Sequence, residues 1–179
     1  MCSYANFHIF SPAYELNMEN KKISDNISFT FCDFNSDFHC NKVLELIDHY
    51  MSDPMGNSPL LNNKEKIILL EGLKNHSFSF ILFVSVEEVI VGMVTCFINF
   101  STFKARHYLN IHDIIILKDY RGKGLGRKLL EKCISISMDR NYCKITLEVR
   151  EDNYNAKQLY KNLGFNESEP VMHFWTKPL

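Results

Sequence analysis

Three glycines at alternate positions lie between an apolar segment and an amphipathic one. The segment Arg121-Gly122-Lys123-Gly124-Leu125-Gly126 follows a predicted strand at 107–117 and leads into a predicted helix at 124–140. The first N–H groups of a helix have no partner within the helix, and the helix dipole is positive there. Glycine lets the backbone approach an anion closely, and Arg121, Lys123 and Arg127 add positive charge. This combination predicts a phosphate-binding loop and requires a strand–loop–helix fold around it.

The glycine spacing distinguishes this loop from two better-known phosphate loops. A Walker loop requires GxxxxGK[ST], and Gly124 is not followed by Lys and Ser or Thr. A dinucleotide fingerprint requires GxGxxG, whereas the spacing here is GxGxG. A plain glycine-rich turn leading into a helix, without a ligand, is the structural alternative.

Hydrophobic periodicity divides the rest of the chain into strands and helices. The predicted order is β-α-α-β-β-β-α-β-α-β, an α/β fold in which helices cover a mixed sheet. We predict strands at 27–32, 78–86, 89–100, 107–117, 143–149 and near 165–175, and helices at 38–51, 64–74, 124–140 and 153–163. Residues 27–179 are predicted to form one domain. Residues 1–26 are predicted to be an extension, a candidate for disorder, in which Met18 is an alternative start.

Composition excludes several classes of function. The net charge is −1 and no basic run is present, so nucleic-acid binding is not expected. No apolar stretch is long enough to span a membrane, so no membrane partner is expected. The six cysteines form no CxxC pair and the histidines form no HExxH motif, so no metal site is predicted. Free thiols within apolar runs are typical of a reducing compartment, and we therefore expect a cytoplasmic protein.

Two motifs together resemble the GNAT family of N-acetyltransferases. The family signature [Q/R]xxGx[G/A] is matched by Arg121, Gly124 and Gly126. One predicted strand later, Asn153-Tyr154-Asn155-Ala156-Lys157-Gln158-Leu159-Tyr160-Lys161-Asn162-Leu163-Gly164-Phe165 is similar to the family's NxxAxxLYxxLGF stretch. The predicted element order from about residue 27 to 175 also fits. The resemblance implies the GNAT fold, the activity of an acyltransferase and acetyl-CoA as cosubstrate.

The resemblance also implies where acetyl-CoA lies. Its pantetheine arm would pair with the backbone of Ile114, Ile115 and Ile116 like an added strand, while their side chains pack in the core. Its pyrophosphate would contact the amides of Arg121, Gly122, Lys123, Gly124, Leu125, Gly126 and Arg127. Asn153 would make a polar contact near the pantetheine. Asparagine is also a favoured helix cap, and the two roles are compatible.

Catalytic roles are inferred in the same way. The resemblance implies that Tyr160 protonates the departing thiolate and also contributes to cofactor binding; a core tyrosine is the alternative. A primary amine is mostly protonated near neutral pH, so a general base must accept a proton. Asp113 is the first candidate and Glu148 the second. His112 and Asn110 are the other polar residues within or next to the central strands. His112 and Asp113 should point to opposite faces of a regular strand unless a bulge intervenes.

The predicted reaction is direct attack of a primary amine on acetyl-CoA. The acceptor is either a small amine, polyamine-like or aminoglycoside-like, or the amine of a protein or peptide. Residues 171–174, Val-Met-His-Phe, look like the end of the aminoglycoside 3-N-acetyltransferases. A non-catalytic CoA-binding or interaction module on the same fold is the alternative function. Dimers are common in the family, so a homodimer is an expected state.

Overall fold

The computed structural model describes residues 26–56 and 58–179. Five strands and four helices alternate in the order β-α-α-β-β-β-α-β-α. The strands are β1 (Ile27–Phe31), β2 (Ser79–Val86), β3 (Val89–Ser101), β4 (Arg106–Ile116) and β5 (Ile145–Leu147). The helices are α1 (Asp37–Met51), α2 (Asn63–Asn75), α3 (Leu125–Asp139) and α4 (Tyr154–Asn162), and a 3-10 turn (Lys118–Tyr120) precedes α3. The predicted α/β class and mixed sheet are confirmed.

The sheet follows the order of the chain, β1-β2-β3-β4-β5. Strands β1 to β4 pair antiparallel, and β5 pairs with β4 in parallel. The parallel pair requires a crossover, which α3 provides. The phosphate loop begins this crossover, so the topology places it at the end of β4.

Helices cover both faces of the sheet. Alternate side chains of β2 to β4 enter two separate apolar clusters, as expected for strands buried on both faces. One cluster joins the sheet to α1 and α2, where Val43 and Leu46 are fully buried. The other joins it to α3 and α4, where Leu129 and Cys133 are fully buried. Each fully buried leucine contributes roughly 1.5–3 kcal/mol, so the α3 stripe holds the loop helix firmly on the sheet.

Side-chain caps define where the first two helices begin. The Ser36 hydroxyl accepts a hydrogen bond from the His39 N–H at the start of α1. At the start of α2, the Asn62 side chain accepts from the Glu65 N–H (3.1 Å), while the Glu65 carboxylate accepts from the Asn62 N–H (2.8 Å). This reciprocal capping box satisfies donors that the helix itself leaves unpaired.

The predicted last strand near 165–175 is wrong. The Gly164 and Phe165 N–H groups donate back to Lys161 and Tyr160, and Gly164 adopts φ +84°, which ends α4. The chain beyond is irregular, and Val171 and Trp175 are exposed by 66 % and 87 %. A strand must pair with the edge of a neighbouring strand, and β5 offers an edge of only three residues. The β-favouring residues of 165–175 therefore do not form a strand by themselves. The predicted strand 143–149 is shortened to Ile145–Leu147 for the same lack of neighbours.

The predicted N-terminal extension lies outside the described residues, apart from Asn26. Among the cysteines that the structure describes, all are free; Cys96 and Cys133 are buried, while Cys32 and Cys143 are only partly buried. Within residues 26–56 and 58–179, no helix has both the length and the apolar character needed to cross a membrane.

Candidate active site

An opening between β4 and β5 lies beside the phosphate loop. The parallel pairing joins Leu109 to Ile145 and ends at Ile111 with Leu147. Strand β4 continues for five more residues to Ile116 while still paired with β3. The edge of β4 that faces β5 is therefore left without a neighbouring strand from His112 onward.

The hydrogen-bond alternation of β4 decides which backbone groups face this opening. The Leu117 N–H donates to the Val91 carbonyl (2.9 Å), so Leu117 and, two residues earlier, Ile115 direct their backbone groups toward β3. Ile114 and Ile116 direct theirs toward the opening. The Ile115 side chain is 1 % exposed in the cluster under α1 and α2, while the Ile114 and Ile116 side chains pack against the opposite cluster. The core packing of all three side chains is confirmed.

A bulge in β4 places two polar residues together. Thr95 pairs with Asp113 and the next residue, Cys96, pairs with Ile111, so His112 is an extra residue. The bulge interrupts the alternation of side chains between the two faces of the sheet. His112 and Asp113 therefore both lie on the face covered by α1 and α2. His112 is exposed and its ring meets Phe97 edge to face at 5.3 Å. Asp113 is half-buried at the end of α1.

The loop after β4 presents backbone N–H groups at the N-terminus of α3. Gly122 (φ +73°) and Gly124 (φ +79°) adopt left-handed conformations that strongly favour glycine. The first helical hydrogen bond runs from the Lys128 N–H to the Gly124 carbonyl, and no side chain caps the helix. The N–H groups of residues 125–127 therefore have no partner within the helix. A Cβ built at either Gly122 or Gly124 would meet no atom within 4 Å, so the space beside the loop is open.

Arg121 differs from the other predicted loop ligands. Its N–H donates to the Lys118 carbonyl (3.2 Å), which closes the 3-10 turn. Its guanidinium donates to the Asp53 carboxylate (2.7 Å) and to the Ile116 carbonyl (2.8 Å). Lys123 lies over the Tyr120 ring, and Arg127 lies 3.6 Å from Glu131 on the exposed side of α3.

Two tyrosines approach the opening from opposite faces of the sheet. Tyr160, on α4, is 8 % exposed and belongs to the cluster under α3 and α4. Tyr50, near the end of α1, packs against the opposite cluster. Burial raises the pKa of Tyr160, and the nearby Tyr50 raises it further. This electrostatic effect indicates that the two side chains lie near each other, although they pack against opposite clusters.

Asp113 lies near Tyr50. Burial raises the pKa of its carboxyl, while the neighbouring His112 and Thr95 partly oppose that rise. Burial also raises the pKa of Tyr50, and the neighbouring Asp113 adds to the effect. Tyr50 is thus near enough to both the predicted acid and the predicted base to affect their electrostatics. Its helical spacing marks it as a core residue, and the family resemblance places it only at the start of a cleft-lining segment, residues 50–63.

The two remaining predicted residues lie on the β5 side. Asn153 caps α4, with its side chain accepting from the Ala156 N–H (3.2 Å), so the cap role is confirmed. Glu148 is exposed and directly follows β5. Thr146, Leu147 and Tyr160 also line a pocket of about 280 Å³ with the chain after α4. The described residues contain no cluster of three or more metal-ligating side chains.

A comparison with protein-family models identifies the family. Residues 43–165, more than half of the chain, match the model for the acetyltransferase (GNAT) family. The chain belongs to the GNAT family. The matched range begins within α1 and ends just after α4, and it includes the bulge, the phosphate loop and Tyr160. The family predicted from the two motifs is confirmed.

Curated GNAT relatives span several kinds of amine substrate. An uncharacterized N-acetyltransferase of Archaeoglobus fulgidus is 31 % identical over 90 residues, which cover 50 % of this chain and 61 % of the relative. The thialysine N-epsilon-acetyltransferase of Bos taurus is 33 % identical over 42 % of this chain and 44 % of its own length. The N-alpha-acetyltransferase MAK3 of Arabidopsis thaliana is 24 % identical over 90 % of this chain and 78 % of its own. This chain thus spans less than two-thirds of the length of the first two.

Solved structures of GNAT proteins share the fold. An aminoglycoside acetyltransferase from an uncultured soil metagenomic sample, in complex with trehalose, superposes with a TM-score of 0.71. The match covers 88 % of this chain and 99 % of that one, at 17 % identity. A possible acetyltransferase from Clostridium difficile 630 superposes with a TM-score of 0.72 at 18 % identity. These likenesses confirm the predicted fold.

Proposed function

We propose that this protein transfers the acetyl group of acetyl-CoA to a primary amine at the opening between β4 and β5. The observation that carries the proposal is that the opening meets three chemical requirements at once. It has a strand edge without a neighbouring strand and an open helix N-terminus beside it, and Tyr50 lies near enough to Asp113 and Tyr160 to affect their electrostatics.

The residues present fit acetyl-CoA. The N–H groups of residues 122–127 would receive the pyrophosphate, since they surround the uncapped end of α3 and the left-handed glycines keep the space beside them open. The backbone groups of Ile114 and the N–H of Ile116 would pair with the pantetheine arm, because they face the opening, whereas the Ile116 carbonyl already accepts from Arg121 Nε. Ile115 would serve only as core support. Asn153 and Tyr160 border the same opening from α4.

Tyr160 is the proposed general acid. Its raised pKa keeps the phenol protonated near neutral pH, so a proton is available when the sulfur departs. Asp113 is the proposed base, because its raised pKa makes the carboxylate a better proton acceptor than an ordinary aspartate. The exposed Glu148 remains a second candidate, acting through water.

The proton balance of the reaction is simple. The amine nitrogen bonds to the acetyl carbonyl carbon, the carbon–sulfur bond breaks, and Tyr160 gives its proton to the sulfur. The protonated amine loses two protons: one restores Tyr160 and the other passes through Asp113 to solvent. The overall products are an acetamide, free CoA and one proton.

The acceptor is proposed as a small or terminal amine. The names of the relatives specify the epsilon amine of thialysine, an alanine of ribosomal protein bS18 and an alpha amine, and each of these is a primary amine. We therefore propose a thiol-release screen over lysine, thialysine, spermidine, an aminoglycoside and a peptide with a free N-terminal alanine.

The test combines binding with turnover. Calorimetry should detect acetyl-CoA binding, and one of the amines should release CoA. Tyr160→Phe should leave binding intact and lower turnover by about 10²- to 10⁴-fold. Tyr142→Phe is the matched control, because Tyr142 lies outside the opening and its hydroxyl makes only a 3.5 Å contact with Arg140.

Each contrary result has a separate meaning. Undiminished turnover in Tyr160→Phe would remove the acid role. Binding without CoA release for any amine would favour the non-catalytic CoA-binding module. Absence of acetyl-CoA binding would refute the proposed function.

A further inference from the structure

The side chain of Arg121 points away from the phosphate loop to which its backbone belongs. Its Nη1 donates to Asp53 Oδ2 at 2.7 Å, and its Nη2 lies 3.4 Å from His49 Nε2. Its Nε donates to the Ile116 carbonyl at 2.8 Å. Planar guanidinium groups hold such forked contacts in a fixed orientation. Arg121 therefore joins the end of β4, the phosphate loop and the segment after α1.

The residue that receives this contact is itself well fixed. Asp53 lies in the connection between α1 and α2, residues 52–62, and its side chain is only 15 % exposed. Its other carboxylate oxygen accepts from the Met55 N–H (2.9 Å). That backbone hydrogen bond, followed by the Arg121 side chain, lowers the pKa of Asp53, so the carboxylate is ionised near neutral pH.

The start of this connection packs closely on the end of α1. The Asp53 N–H donates to the Tyr50 carbonyl (3.0 Å), and the Gly56 N–H donates to the Asp53 carbonyl (2.9 Å). A Cβ at Gly56 would lie 2.0 Å from the Tyr50 carbonyl oxygen, so the turn packs directly on the end of α1. On the far side, the Arg150 guanidinium donates to the Met55 carbonyl (3.2 Å).

We propose that Arg121 is a positioning residue that couples the phosphate loop to the α1–α2 connection and, through it, to Tyr50. This inference rests on the proposed function for its ligand, CoA. A change at the loop backbone would reach Asp53 through the guanidinium and then Tyr50 through the turn. Because coupling between sites is reciprocal, fixing the connection would also favour CoA binding.

The competing role is a direct contact between the Arg121 side chain and a CoA phosphate. The two roles predict different effects for the two partners of the ion pair. If Arg121 binds phosphate, Arg121→Gln weakens CoA binding by about 10-fold or more, as expected for loss of a charged hydrogen bond. Asp53→Asn would then leave CoA binding unchanged or tighter, since it frees the cation. If Arg121 acts through Asp53, Arg121→Gln and Asp53→Asn both weaken CoA binding. The double variant then weakens it little further than either single variant.

Amide hydrogen exchange of the full chain, with and without CoA, tests the coupling. In the wild type, CoA should slow exchange in peptides covering residues 52–62. Asp53→Asn and Arg121→Gln should each abolish that slowing, while calorimetry shows that CoA still binds, weakened by less than about 10-fold. Without ligand, Asp53→Asn should also speed exchange in peptides covering residues 118–127, on the other side of the ion pair.

Lys66→Gln is the matched control. Lys66 forms an ion pair with Asp48 (2.5 Å) that joins the same two helices without touching the phosphate loop. This variant should still show slower amide exchange at residues 52–62 when CoA binds. It therefore distinguishes a general loosening of α1 and α2 from loss of the coupling.

Two results would overturn the coupling. The first is slowing at 52–62 that persists in both Asp53→Asn and Arg121→Gln. The second is a large loss of CoA affinity in Arg121→Gln alone. Failure of the proposed function gives a different pattern: the wild type would not bind CoA, yet Asp53→Asn would still speed exchange at 118–127. Unchanged exchange there would refute the link itself.

Discussion

Replacement of Gly124 by alanine tests the left-handed turn of the phosphate loop. Gly124 has φ +79° and caps α3, and an added Cβ would meet no atom within 4 Å. The expected cost therefore comes from backbone conformation alone, about 1–2 kcal/mol for a non-glycine residue in this region. For a domain of this size, each kcal/mol lowers Tm by roughly 2–4 °C, so we expect a decrease of about 2–8 °C.

Two further variants make the test specific. Gly126 lies in the first turn of α3, where a Cβ would be 3.6 Å from Leu159 Cδ2, an ordinary contact. Gly126→Ala should therefore hold or raise Tm, because alanine is favoured over glycine in a helix by up to about 1 kcal/mol. Gly124→Asn should recover part of the loss, since asparagine tolerates this conformation and caps helices well. Calorimetric melting of the ligand-free protein measures all three. Equal Tm values for Gly124→Ala and Gly126→Ala would refute the argument.

Three other outcomes follow from single features of the structure. Burial raises the pKa of Asp113, so the folded protein holds a proton that the unfolded chain releases, and stability falls as pH rises from the ordinary carboxyl pKa through the raised one. Asp113→Asn should therefore be more stable than the wild type near neutral pH but not at acid pH, as measured by urea unfolding; a constant difference would contradict this. Asn62→Ala removes the capping side chain of α2 and should cost about 1 kcal/mol by the same assay, whereas no loss would show that the cap is dispensable. Trp175, the only tryptophan, is 87 % exposed, so acrylamide should quench its fluorescence readily in the folded protein; strong protection would mean that the C-terminal segment is covered.

The local elements of the fold were predictable from the sequence. The predicted bounds of α1, α2, β2, β3, β4 and α3 agree with the structure to within one or two residues. The apolar stripe of α3 is buried as predicted, including Leu125, Leu129, Cys133 and Ile136. These features depend on periodicity, glycine positions and caps, all of which are set by residues close together in the chain.

Contacts between distant segments were not predictable in this way. The sequence leaves open whether a bulge interrupts β4, and only the pairing of Thr95 with Asp113 and Cys96 with Ile111 decides it. The ion pair between Arg121 and Asp53 joins residues 68 positions apart, and no local pattern marks it. The place of Tyr50 near Tyr160 depends likewise on how α1 and α4 lie on opposite faces of one sheet.

The sequence by itself determined the order of elements, the phosphate loop and the family motifs. The tertiary structure decided that the predicted last strand does not form and that β4 and β5 diverge after three paired residues. It also decided that Arg121 contacts an aspartate of a distant segment. The physical reason is the range of the forces involved: backbone conformation and helix periodicity act over a few residues, whereas strand pairing, burial and ion pairs depend on which distant segments the packed core brings together.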